Sequence, residues 1–265
     1  MTKGALKRAL ASLGRTETII RNGAFAVFLD ETGHEEFKGD GRLFGFAGVT
    51  GYGAELVRAQ RKWRAMKAAH FGDAQEKLHA SGTMMSQEQL DAISEFFAAN
   101  RIGRFAFLLE EPPIELPGNA LTLLREFLGE RLLDALDTLT TTPTDIVICF
   151  EQSDRMLPKL LEAVPGLTIT IEGKNIPCTL LITPKDAGSE HLEMADQIAH
   201  RAQRQFREQG ALIYPEFEAV FPATKPRHAK YGAMRIGSVR RGEWEIMFDT
   251  PTTARVRWSF KAPNT

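Results

Sequence analysis

The sequence predicts an α/β layered fold with a central mixed sheet flanked by helices, followed by a small strand-rich appendage. Three observations predict it. Near-continuous apolar runs such as AFAVFL (24–29) and DIVICF (145–150) read as buried central strands. Stretches of strong helix formers alternate with them, the order expected of an α/β sheet with helices packed on it. Beyond Pro222 and Pro226 the pattern changes to short alternating stretches, EWEIMFD and ARVRWSF.

Taken in order, residues 1–22 form a basic arm rich in helix formers. The runs AFAVFLD (24–30) and RLFGFAGV (42–49), separated by a polar, glycine-bearing turn, read as paired strands, the first ending on Asp30. AELVRAQRKWRAMKAAHF (54–71) is helical by its strong formers. SQEQLDAISEFFAANR (86–101) is a second helix, with Ser86 a natural N-cap and Leu90, Ile93 and Phe97 at helical spacing. There follow a strand RFAFLLE (104–110), a long helix beginning near Asn119, a strand DIVICFE (145–151) and a short helix around 154–163. Strands near LTITIE and CTLLIT and a long closing helix, SEHLEMADQIAHRAQRQFREQ (189–209), complete the series. The expected division is an arm at 1–22, the α/β domain at 23–210 and the appendage at 211–265. No internal repeat or low-complexity segment interrupts it.

The composition is that of an ordinary soluble globular chain, 265 residues with 43% hydrophobic and 25% charged. With 33 Lys+Arg against 34 Asp+Glu the net charge is -1. No global field therefore announces a nucleic acid or a membrane, and a charged partner must be met by a local patch. Cys149 and Cys178 sit inside apolar runs and read as buried free thiols rather than a staple or metal ligands, which fits a reducing compartment. No apolar run approaches the about 18 residues that would span a bilayer. The start, MTKGALKRALASLGR, lacks the apolar centre of a secretory signal. The expectation is a cytoplasmic protein without a membrane partner.

Acids end two of the most apolar strands: Asp30 and Glu31 after AFAVFL, and Glu151 after DIVICF. A third, Asp196, lies in the closing helix. Advancing about 100° per residue from Leu192, Leu192, Ala195, Ile198, Ala199, Ala202 and Phe206 form one apolar stripe. Glu193, Asp196 and His200 line its border. A border residue can point along the sheet rim while the stripe packs on the sheet. Carboxylates gathered at the carboxyl ends of strands repel one another unless a hard divalent cation neutralises them. Such a cluster supports two-metal hydrolysis of a phosphodiester with Mg²⁺ or Mn²⁺. The plain alternative is that each acid is the first solvated residue of a loop or a solvated helix flank. Strand alternation also sends Asp30 and Glu31 to opposite faces unless the strand has turned, which makes Asp30 the better ligand candidate.

The strings FLDETG, LFGFAGV, EKLHASG and LEMADQIAHRA, in that order, resemble landmarks of the bacterial family known as domain of unknown function 3800, over roughly residues 24 to 205. That resemblance implies an RNase H-like three-layer fold and a metal-dependent nuclease or integrase-like site. It implies that Asp30 is the first-strand aspartate bridging two metals and Asp196 the aspartate of the closing helix. Glu31 matches the acid beside the first aspartate, and Glu151 stands where RNase H-like folds often carry a second strand acid. Glu193 stands where the family often has glutamine, either a ligand or a polar flank. Asp186 is a further carboxylate in the loop before the helix. His79 of EKLHASG matches the family's internal histidine, which orients water or contacts phosphate, although a lone histidine is more often structural.

For nucleic acid, the helix at 54–71 carries Arg58, Arg61, Lys62, Arg64 and Lys67. The segment from Lys225 to Lys261 holds nine Lys/Arg, Arg240 and Arg241 among them, against three acids, interleaved with Tyr231, Trp244 and Trp258. Such patches suit a phosphate backbone and stacked bases, or are plain solvated faces and the core of a small sheet. The function expected is thus a divalent-metal-dependent nuclease acting on DNA or RNA. The alternative is a non-catalytic nucleic-acid or protein interaction module on the same fold. A third reading, a nucleotide held by the glycine-rich turn around Gly48, Gly51 and Gly53, has the wrong spacing for a dinucleotide fingerprint.

Overall fold

A computed structural model describes residues 23–34, 43–75, 77–82, 84–100, 102–110, 143–152, 168–171, 173–184, 188–209, 229–236, 243–249 and 256–261. The arm at 1–22, the helix beginning near Asn119, the short helix at 154–163, Asp186, Arg240 and Arg241 lie outside the described residues.

The chain is an α/β fold with a mixed sheet flanked by helices. Its strands are β1 (Phe25–Gly33), β2 (Leu43–Tyr52), β3 (Gly103–Glu110), β4 (Ile146–Glu151), β5 (Thr168–Ile171), β6 (Lys174–Thr183), β7 (Ala229–Ile236), β8 (Glu243–Asp249) and β9 (Val256–Lys261). The helices are α1 (Gly53–His70), α2 (Gln87–Ala99) and α3 (Glu190–Gln209). The spatial order is β5-β6-β4-β1-β2-β3-β7-β8-β9. In the inner five, β6-β4-β1-β2-β3, only β2 runs against the others, because β1 to β3 form an antiparallel meander while β4 and β6 join β1 in parallel. The strands of the C-terminal stretch continue the same sheet, β7 lying parallel to β3.

β1 does not stop at Asp30, as its apolar run suggested. It keeps its ladder with β2 as far as Gly33↔Phe44. Burial, not hydrogen bonding, is what changes at Asp30: Phe25 to Leu29 are all buried, and Asp30 and Glu31 are partly exposed. Gly33 then ends the strand with φ +74, where an added Cβ would lie 1.6 Å from the Leu43 carbonyl oxygen.

α2 starts as its sequence foretells. The Ser86 Oγ accepts from the Gln89 amide at 3.3 Å and the Gln89 side chain accepts from the Ser86 amide at 2.9 Å, a reciprocal cap. Its buried side, Ala92, Ile93, Phe96 and Phe97, meets Trp63 of α1, whose ring centroid lies 4.8 Å from Phe96 and 6.0 Å from Phe97.

α3 packs on β1, β2 and β3 and also touches α1. Its apolar stripe is buried from Leu192 to Ala202 as expected, but Glu190, His191, Glu193 and Gln197 are buried too. The helix is enclosed between the sheet and α1, so the side that looked polar in sequence became a second packing surface. On the sheet side, His191 stacks on Phe28 with centroids 4.4 Å apart, and its Nε2 lies 3.0 Å from the Leu56 carbonyl oxygen. That stack identifies the face of β1 carrying Phe28, and by the two-residue period Asp30, as the one that looks at α3. The neighbours in register with Asp30 along the meander are Ala47 and then Ala106. Both are fully buried, as are Ala195, Ala199 and Ala202 of the helix.

Cys149 is a buried free thiol, and burial pushes its ionisation far up out of reach. No helix among the described residues is long and apolar enough to cross a membrane.

Candidate functional site

Sheet register assembles the site. β1 and β4 pair in parallel up to Leu29↔Phe150, so one step further Asp30 and Glu151 are neighbours on one face, with strands about 5 Å apart. Glu151 is in turn paired with Thr183 of β6, and the Gln152 amide donates to the Thr183 carbonyl at 2.7 Å. Thr183, Glu151 and Asp30 thus form a row across the carboxyl ends of three parallel strands. Asp196 comes to the same place from α3.

The convergence is visible in the electrostatics of Asp30. Burial first, and then the negative charges of Asp196 and Glu151, push its carboxyl up to about 7, against an opposing hydrogen bond of 2.9 Å from the Glu31 amide. Glu31 itself has the smallest influence, since β1 is still a strand at that point and alternation sends its side chain to the other face.

A loop between α1 and α2 closes over the row. Lys77 Nζ lies 2.5 Å from Glu151 Oε1, the Ala80 amide donates to Asp196 Oδ2 at 2.9 Å, and His79 Nδ1 is 3.8 Å from the same oxygen. His79 is more than half exposed, while the Lys77, Glu151 and Asp196 side chains are about one quarter exposed. Sequence reading singled out His79 and missed Lys77, two residues earlier in the same string. An alternating polar pair within a loop was the available signal. It also missed Thr183, whose Oγ1 is buried without a hydrogen-bond partner among the described residues, and Gln197, whose Nε2 is in the same state.

Glu193 stands elsewhere. Its carboxylate accepts from Trp63 Nε1 at 2.8 Å and from Lys67 Nζ at 2.9 and 3.1 Å, so it joins α3 to α1 rather than reaching the row. Burial drives its carboxyl up, and the Lys67 and Trp63 bonds offset this only in part. One turn earlier Glu190 meets Arg64 and, at 2.9 Å, Gln60 Nε2. Burial raises its carboxyl, but the hydrogen bonds from Arg64 and Gln60 outweigh that and leave it below the ordinary range. Arg64 and Lys67 are therefore lost to the expected basic face of α1, on which Arg58, Arg61 and Lys62 remain exposed.

The glycine-rich stretch is no phosphate loop. Gly48 and Gly51 are paired inside β2, the Gly53 amide donates to the Ala24 carbonyl at 3.1 Å, and the Tyr52 amide to Glu55 at 3.3 Å. Because β2 is antiparallel to β1, this turn lies beside Phe25, at the opposite end of the sheet from Asp30.

The donors that converge are hard carboxylate oxygens, the set that suits Mg²⁺ or Mn²⁺. As the side chains stand, with Glu151 turned to Lys77 and Asp196 to the Ala80 amide, no three His, Cys, Asp or Glu among the described residues form a group that could hold a metal ion.

Compared with known proteins, the chain matches no family model, no curated protein and no solved structure.

Proposed function

We propose that this chain is a divalent-metal-dependent nuclease of RNase H-like fold, related to the domain of unknown function 3800 family. The observation that carries the reading is the convergence of Asp30, Glu151 and Asp196 from three separate elements, close enough that the charges of two add to burial in raising the carboxyl of the third, which stands at about 7. Carboxylates that repel at a strand-end site form a latent cation site. The order β3-β2-β1-β4-β6, with β2 alone reversed, supports the RNase H-like part of the reading.

Asp30, Glu151 and Asp196 would hold Mg²⁺ or Mn²⁺, which when bound supplies activation of water and charge stabilisation on the leaving oxygen. The buried Thr183 hydroxyl, in register with Glu151, adds a neutral oxygen to the same row. Exposed His79 stands at the rim beside Asp196, able to orient water or meet a phosphate oxygen. Arg58 and Lys62 offer exposed positive charge for a nucleic-acid backbone.

The test is cleavage of single- and double-stranded DNA and RNA with Mg²⁺ or Mn²⁺, by the wild type and by Asp30→Asn. Metal-dependent cleavage lost in the variant supports the proposal, and equal cleavage by both sinks it. The ion pair between Lys77 and Glu151 favours a second reading, an interaction module that neutralises its own acids and turns nothing over. Absence of any Mn²⁺ heat in calorimetry, with nucleic acid or protein still bound, would select it.

A further inference from the structure

Among the described residues, Lys77 is the strong cation seated on the carboxylate row. Its ammonium is 2.5 Å from Glu151 Oε1, and both side chains are about three-quarters covered. At that depth a charge pair is held by more than chance surface contact. The same loop fixes itself a second time through the Ala80 amide on Asp196. Two of the three acids are thus compensated from one short segment, while Asp30 keeps its burial and their repulsion. A divalent ion ligated by Glu151 would sit within a few ångströms of this ammonium, where like charges repel strongly.

We propose that Lys77 is the site's tethered counter-cation, displaced from Glu151 when a divalent ion enters, and that it thereby sets the metal affinity of the site. The inference rests on the metal-binding reading above and concerns a residue that reading does not use. Lys77 is a positioning residue: it holds Glu151 and the loop in the metal-free form, and on displacement its charge is released at the rim beside His79, where a phosphate would arrive.

The experiment is calorimetric titration of Mn²⁺ into chelator-stripped full chain at fixed pH and ionic strength, for wild type, Lys77→Gln and Lys77→Arg. Circular dichroism first establishes that each variant is folded, and Lys77→Met replaces Lys77→Gln if the latter is not. Lys77→Gln is expected to bind Mn²⁺ on the order of tenfold more tightly than wild type, because a competing charge is gone. Lys77→Arg is expected to remain near wild type. In chelator, Lys77→Gln should also melt below wild type and gain more on Mn²⁺ addition. Unchanged or weaker Mn²⁺ binding by Lys77→Gln overturns the proposal while leaving the metal site standing. Binding to neither protein overturns both readings together.

Discussion

Asp30 and Glu151 stand side by side on parallel strands, and Asp196, from a helix that enters the fold some 160 residues after Asp30, comes near enough to add its charge to the push on the Asp30 carboxyl. Three negative groups in one partly covered place cost folding free energy, and that cost can be measured.

Asp30→Asn should stabilise the metal-free protein. The Asp30 carboxyl sits at about 7 in the fold against an ordinary 3.8. Between those values the folded chain holds more protons than the unfolded one, so stability falls as pH rises through that window, and the full penalty stands above pH 7. That difference corresponds to an upper bound on the order of 4 kcal/mol, reduced by the water that reaches the site. In chelator, the variant should melt well above wild type at pH 8, with the gap closing as pH drops towards 4. A gap independent of pH would contradict the assignment.

Asp196→Asn should lower the Asp30 carboxyl without removing it. Burial is the largest upward push and Asp196 comes next. Carbon-detected NMR of the side-chain carboxyl should therefore place the Asp30 titration above the ordinary range in both proteins but lower in the variant. Glu151→Gln should do the same by less. Superimposable curves would mean that the acids do not meet.

The α1–α3 junction predicts a different kind of loss. Lys67 and Glu193 are each 2% exposed and bonded at 2.9 Å. Lys67→Met strands a buried carboxylate and should cost about 3 to 5 kcal/mol in denaturant unfolding. Lys67→Met combined with Glu193→Leu should recover much of that. A double variant as unstable as the sum of its parts would show the pair to be independent.

Gly48→Ala tests the reason for a glycine that reads in the sequence as part of a turn. An added Cβ would lie 2.0 Å from the Phe28 carbonyl oxygen, inside the β1–β2 ladder. The expected cost is roughly 1 to 3 kcal/mol or more, read as a lowered melting temperature. A variant that melts like wild type would place the clash elsewhere.

How much of this was legible in the sequence follows from which physical rule governs each residue. Apolar runs report burial, so the inner strands were readable, and so was the change at Asp30. They do not report hydrogen bonding, which is why β1 outlasts its run to Gly33. The stripe of α3 was readable from its 3.6-residue period, yet that period cannot say what faces the other side. Glu193 and Asp196, both on one border by sequence, go to different partners because α1 covers the first and a loop amide the second. Lys77 was hidden for a related reason: a loop has no periodicity, and its closure over Glu151 is fixed by the helices on either side. Arg64 and Lys67 read as surface charge in the sequence because nothing local places Glu190 and Glu193 opposite them.

The alanines between α3 and the sheet have a bearing on chemistry that their side chains do not take part in. Ala47 and Ala106 face a helix whose own inner positions include Ala195, Ala199 and Ala202, all buried. Methyl groups, the smallest spacers a side chain offers, set how near the helix axis comes to the strands. The reach of Asp196 towards Asp30 is therefore tuned by uncharged residues: one bulkier side chain in that layer would jack the helix outward and detune the acidic row without touching any of its members.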